Sequence, residues 1–179
     1  EEIKRISDEL RYQEKLQEQT LYKQIAESKR AVAEYKDIQK KFEEEKQKKL
    51  VPEMGSFDDI KEFITGLEQF KKTFATSPSA SLNLDSLIDN FVKTYKKQFE
   101  GIKKIRNLVQ NIDYSEYIKG WFTPSGKTDI GKGINAVEQF ADSIYEEFKP
   151  VFDLEKELES KKLDVQIADL QIKYSTSTL

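Results

Sequence analysis

From Ile3 to Leu50 the chain holds neither proline nor glycine, and most positions are Glu, Lys, Gln, Arg, Ala or Leu. These side chains lose little freedom on entering a helix, and none of them interrupts its hydrogen-bond ladder, so one unbroken helix is expected. Fifty helical residues span roughly 75 Å at 1.5 Å per residue. That is about twice what a compact domain of this mass accommodates, so an elongated molecule is expected.

The apolar positions of this segment indicate what it packs against. They begin as Ile3, Ile6 and Leu10, then run Leu21, Ile25, Ser28, Val32, Tyr35, Gln39 and Phe42 in alternating steps of four and three. Such spacing keeps one strip turned towards a neighbouring helix. Between Leu10 and Leu21 the strip is filled by Gln13, Glu14 and Gln17, so the register shifts as at a stutter and packing there should be loose.

The other end carries a matching seam. A helical region from Ile134 places Val137, Ala141, Ile144, Phe148 and Val151 at heptad steps and continues through Leu154, Leu158, Val165, Ala168 and Ile172. Pro150 is expected to kink or restart this helix, because it removes a backbone donor and crowds the preceding turn. Leu163, Ile167, Leu170 and Tyr174 add a second apolar row, giving contact width for two neighbours, and the Ser175–Thr178 tail is expected to fray. Both terminal helices are too polar outside for burial, yet each has a strip that water opposes leaving open; pairing the two as an antiparallel coiled coil follows.

The middle is shorter and more aromatic. Pro52 and Gly55 end the first helix, and Ser56 reads as an N-cap with Asp59 three residues on, which satisfies free amides and complements the helix dipole. The next helix carries Phe57, Ile60, Ile64, Leu67 and Phe74, widened by Phe63 and Phe70. Residues 76–81 are a loop by composition. A third helix should start near Ser81 or Asn83 and run to about Asn111, with Gly101 as a tolerated weak point. A short helical piece over 115–121 leads into a stretch that holds four of the seven glycines between Asp113 and Gly133. No segment alternates in the manner of a strand. The expected fold is therefore all-α: an elongated helical bundle, one domain over 1–179. Its parts are a long helix over 1–50, a helical middle over 56–122, a Gly/Pro loop over 123–133, a kinked helix over 134–174 and a frayed tail over 175–179.

Composition narrows the function. Charged residues make up 35% of the chain, but the net charge is only −3 and both signs are mixed throughout; no basic face offers itself to nucleic acid. Eleven Phe, eight Tyr and one Trp supply the apolar surface that a disordered chain lacks. Cysteine and histidine are absent, which removes disulfides, thiol nucleophiles, imidazole bases and the usual zinc sites. No apolar run is long enough to span a bilayer. The opening Glu1-Glu2-Ile3-Lys4 resembles neither an initiator region nor a signal peptide, so a processed or trimmed product is expected.

Individual motifs point away from catalysis. Gly126-Lys127-Thr128 has the ending of a phosphate-binding loop, but the position five before Gly126, where that loop needs a glycine, is Trp121; an ordinary polar turn is expected. The carboxylate groups at Asp58-Asp59, Glu43-Glu44-Glu45 and Glu146-Glu147 read as solvated helix faces without calcium-loop spacing. Neither catalytic residues, nor a cofactor, nor a metal site is expected. Tyr114, Tyr117, Trp121 and Phe122, beside a Gly/Pro loop, are the candidates for contact with a protein partner, because large aromatics anchor interfaces; closing the core where the middle helices end is their other reading.

These features describe a non-enzymatic structural or interaction protein that presents a small helical head to protein partners. The arrangement of long terminal helices flanking a smaller insert is similar to that of type IV secretion minor pilins and type III needle-tip proteins. No sequence motif is shared with either, so the likeness is one of architecture. It tilts the expected compartment, which the residues do not set, towards secretion or the cell envelope. A cytosolic coiled-coil scaffold that self-associates through its seams is the alternative, and a membrane-acting helical toxin a further one that lacks the required apolar hairpin or basic face.

Overall fold

The computed structural model describes residues 1–76, 83–106 and 112–178. Among them there are helices and turns and no strand. The helices are α1 (Glu2–Lys49), α2 (Phe57–Thr76), α3 (Leu84–Thr94), α4 (Lys96–Ile105), α5 (Tyr114–Phe122) and α6 (Ile130–Thr178), with short 3-10 turns at Pro52–Met54 and Pro124–Gly126. The long first and last helices pack against each other, as their seams predict. The loop expected over 76–81 falls, apart from Thr76, outside the described residues, as does the expected end of the third helix near Asn111. The contacts gather the chain into two compact units, residues 1–44 with 151–179, and residues 45–150.

The first unit is the helix pair. Gln24 accepts a hydrogen bond from Ser175, Ser28 Oγ donates to Asp169 Oδ1 at 3.4 Å, and Lys161 Nζ donates to Glu34 Oε2 at 2.9 Å. Residue numbers rise on α1 as they fall on α6, so the pairing is antiparallel. The bond to Lys161 holds the Glu34 carboxyl below its ordinary range and the ammonium above its own. Along α6 the positions turned from water include Leu154, Leu158, Lys161, Val165, Ala168, Ile172 and Ser175, a heptad in which Lys161 fills the step the apolar pattern skipped. Ser28 and Ala168 are buried at the same level, and two such small residues allow the helices a close approach. On α1 the expected seam position Gln39 is exposed and Ile38 is buried instead. Steps of three from Val32 through Tyr35 to Ile38 bring an isoleucine, rather than an amide, into the strip.

The second unit is built around phenylalanine. Ser56 Oγ accepts from Asp59 N–H and Asp59 Oδ2 accepts from Ser56 N–H at 2.7 Å, the reciprocal cap expected at the start of α2. Asn83 caps α3 and Asp113 caps α5 through their side chains. Phe57, Ile60, Phe63, Leu67, Phe70 and Phe74 of α2 are buried, and Phe63 lies within ring contact of Phe91, Tyr95, Phe99 and Phe140.

Several elements differ in detail from the pattern of the sequence. The third helix divides at Tyr95, with φ −108 and ψ 29, into α3 and α4, because the Tyr95 ring turns onto Phe63 and Phe91 and rests against Gly66, where a Cβ would collide with it. Gly101 is no weak point: a Cβ there would strike Met54, and the fully buried Met54 also offers its carbonyl to Gln98 Nε2 at 3.0 Å. Of the kink or restart expected at Pro150, the restart does not occur: the last helix runs unbroken from Ile130 to Thr178. Phe148 and Val151 are fully buried on either side of Pro150, and that burial offsets the single hydrogen bond the proline removes. At the far end Thr176 Oγ1 returns to the Ile172 carbonyl and Ser175 bonds to Gln24, so the polar tail completes helical turns.

Candidate functional site

The aromatic candidates all lie on α5, where helical geometry separates them. Asp113 Oδ1 accepts from Ser115 N–H at 3.0 Å and from Glu116 N–H at 3.5 Å, which starts the helix and fixes its rotation. Tyr114, Ile118 and Phe122, at steps of four, then face inward and are buried. Phe122 sits 4.5 Å from Phe74 between ring centroids and closes over Gly133, whose missing side chain leaves the space for its ring. Tyr117 and Trp121 share another side. Tyr117 is 52% exposed, and its ring meets Trp121 edge-on at 5.4 Å. Trp121 is half-buried, its inner side 5.5 Å from Phe140. The four residues thus divide between core and surface, and only Tyr117 and Trp121 can touch another molecule.

Charges frame this edge. Lys119 Nζ reaches Asp89 of α3 at 3.0 Å and Glu116 at 3.4 Å; the bond to Lys119 holds the Asp89 carboxyl below its usual range. Arg106 lies over the Phe140 ring at 5.8 Å and donates to Ser143 Oγ at 2.8 Å. Tyr114 is 4% exposed, and its hydroxyl has no hydrogen-bond partner among the described residues. Burial pushes its phenol up to about 12, although Arg106 pulls the other way.

That hydroxyl gives a direct test. A phenol whose folded value lies above the unfolded one favours folding below about pH 10, and its contribution is lost as pH rises from there through about 12. Ultraviolet titration should therefore show one tyrosine ionising late, and Tyr114→Phe should abolish that late step. The same substitution should leave stability unchanged or raise it by up to about 1 kcal/mol, since it removes a buried, unpaired polar group. A loss above about 1 kcal/mol would reveal a hydrogen bond to this oxygen.

A feature the sequence reading missed lies between α2 and α3. Phe70 and Phe91, stacked at 4.2 Å, line an open groove of about 590 Å³ together with Tyr95, Lys61 and Glu62. Both phenylalanines are legible as core-face residues, but a groove depends on how two helices cross, and periodicity carries no crossing angle.

Pro124–Gly126 forms a short 3-10 turn. Ser125 and Gly126 both take positive φ, 57 and 77, which turns the chain back, and Gly126-Lys127-Thr128 is exposed. Among the described residues no group of three acidic side chains is placed to hold a metal ion, and no helix is long and apolar enough to cross a membrane. Comparison with known protein families, with curated proteins and with solved structures finds no match.

Proposed function

We propose that this chain is a non-enzymatic interaction protein whose helical unit over 45–150 offers the Tyr117–Trp121 edge of α5 to a protein partner. The observation that carries the reading is the exposure of Tyr117 on a ring pair backed by Phe140. Aromatic side chains held in place from below lose little freedom on binding, and each presents a large contact area with a polar tip. The absence of cysteine and histidine supports a role without thiol or imidazole chemistry. A secretion or envelope setting enters the proposal only by analogy of architecture.

The test is site-specific photo-crosslinking in the cells that make the protein. A benzophenone side chain at Tyr117 should label one protein, while the same group at exposed Lys127 should not. With that protein purified, Tyr117→Ala and Trp121→Ala should each weaken binding about tenfold or more, and Tyr117→Ala should keep the wild-type melting temperature. Equal labelling from both positions, or none from Tyr117, would remove the proposal.

A further inference from the structure

Two apolar strips in the unit of residues 1–44 and 151–179 meet water where a coiled coil has a partner. The first is Ile3, Ile6 and Leu10, between 49% and 84% exposed, within a stretch from Glu1 to Thr20 that is exposed at every residue. At 100° per residue these three share the side of α1 that carries Leu21, Gln24 and Ser28, so the seam continues ahead of the Gln24–Ser175 contact. The second is Leu163, Ile167, Leu170 and Tyr174, between 45% and 73% exposed. It lies on the side of α6 opposite Lys161, Val165, Ala168 and Ile172, which face α1. The chain cannot join its own strips, because α1 is one continuous helix whose Gln24, Ser28 and Glu34 already lie along the inner side of α6.

We propose that a second copy of the chain covers both strips, the first turns of α1 from each copy lying on the outer face of the other copy's α6. The α1 strip lies ahead of the α6 strip along the helices, so reciprocal contact requires a two-fold axis across them. That symmetry sets the two α1 helices antiparallel, and the incoming α1 therefore runs parallel to α6. In a parallel pair like heptad positions meet: Ile3 with Ile167, Ile6 with Leu170, and Leu10 with Tyr174. The flanking positions then set Glu14 against Lys173, Glu2 against Gln171 and Ser7 against Gln166, one opposite-charge pair and no like pair.

Other pairings fit worse. Two α1 strips in parallel would set Glu9 against Glu14, and antiparallel they would set Glu9 against Glu9. Two α6 strips in parallel would set Glu159 against Asp164. Two α6 strips antiparallel avoid like charges but leave Ile3, Ile6 and Leu10 in water. Reciprocal docking covers Ile3, Ile6 and Leu10 together with Ile167, Leu170 and Tyr174 in both copies, and so comes nearest to the roughly 1,000 Å² that a specific interface needs. This inference uses the helix pair alone and stands independently of the α5 edge.

The chain has no cysteine, so introduced thiols are the only ones. Full-length Ile6→Cys and Leu170→Cys chains, each altered at an exposed position, should form a disulfide-linked dimer when mixed under mild oxidation. Either chain alone should give at least fivefold less. Light scattering of the unaltered chain should show the mass rising with concentration towards twice 20.9 kDa. Dominant crosslinking of Ile6→Cys alone, or of Leu170→Cys alone, would overturn the arrangement in favour of like strips pairing. A concentration-independent monomer mass without crosslinking in the mixture, both variants keeping the wild-type helix signal, would overturn it altogether.

Discussion

Replacing Phe63 with alanine is expected to destabilise the 45–150 unit by about 3–5 kcal/mol, the range for removing a buried aromatic ring from a packed core. Phe63 is fully buried, and its ring holds together side chains from several elements. Phe99 meets it edge-on at 5.1 Å, Tyr95 lies at 5.4 Å, Phe91 at 6.4 Å and Phe140 of α6 at 6.5 Å. Collapse into the vacated space is restricted, because these rings are themselves locked: Phe91 stacks on Phe70, and Phe99 packs on Tyr114. The cavity term therefore adds to the lost transfer energy. Denaturant unfolding followed by the fluorescence of Trp121, the single tryptophan and a member of this unit, measures the effect. A shift below about 1 kcal/mol would mean that the rings repack around the gap.

The second large effect belongs to the helix pair. Val32→Asp combined with Tyr35→Asp should lower its stability by about 2–4 kcal/mol, by setting two carboxylates into a strip turned towards α6. Both wild-type residues are half-buried, and Lys161, a cation at this level of α6, is already bonded to Glu34. Circular dichroism should show helix lost at a lower temperature, and an unchanged melting curve would contradict the packing of α1 on α6. The comparison with Phe63→Ala is informative because Trp121 reports on the other unit. A dichroism transition that moves while the Trp121 transition stays in place would show the two units unfolding separately.

Much of the architecture was legible because local rules agree with the tertiary ones. Ser56, Asn83 and Asp113 sit where caps are needed, and the heptad steps of α1 and α6 give the two seams. The departures have particular causes. Tyr95 breaks a pattern that reads as one helix, because its ring has somewhere better to go than the helix face. Pro150 fails to break α6, because buried neighbours on both sides outweigh one hydrogen bond. Gly101 reads as a propensity defect and is a point of contact with Met54. The candidate site was half legible: the sequence marks four aromatic residues together on a short helix, but their rotation about it decides which are core. Tyr114 and Phe122 point inward with Ile118, and Tyr117 and Trp121 do not.

By itself the sequence determined that the chain is helical, where most of its helices begin, and that its two ends carry seams made for a helix. These follow from propensity, capping and periodicity, which act over a few residues and are written in the order of side chains. Only the tertiary structure decided that Ile38 rather than Gln39 joins the seam, that α3 and α4 part at Tyr95, and which sides of α5 and α6 stay in water. Each of those outcomes depends on the space left by residues distant in the chain, and close packing resolves alternatives that local preference leaves nearly equal in energy.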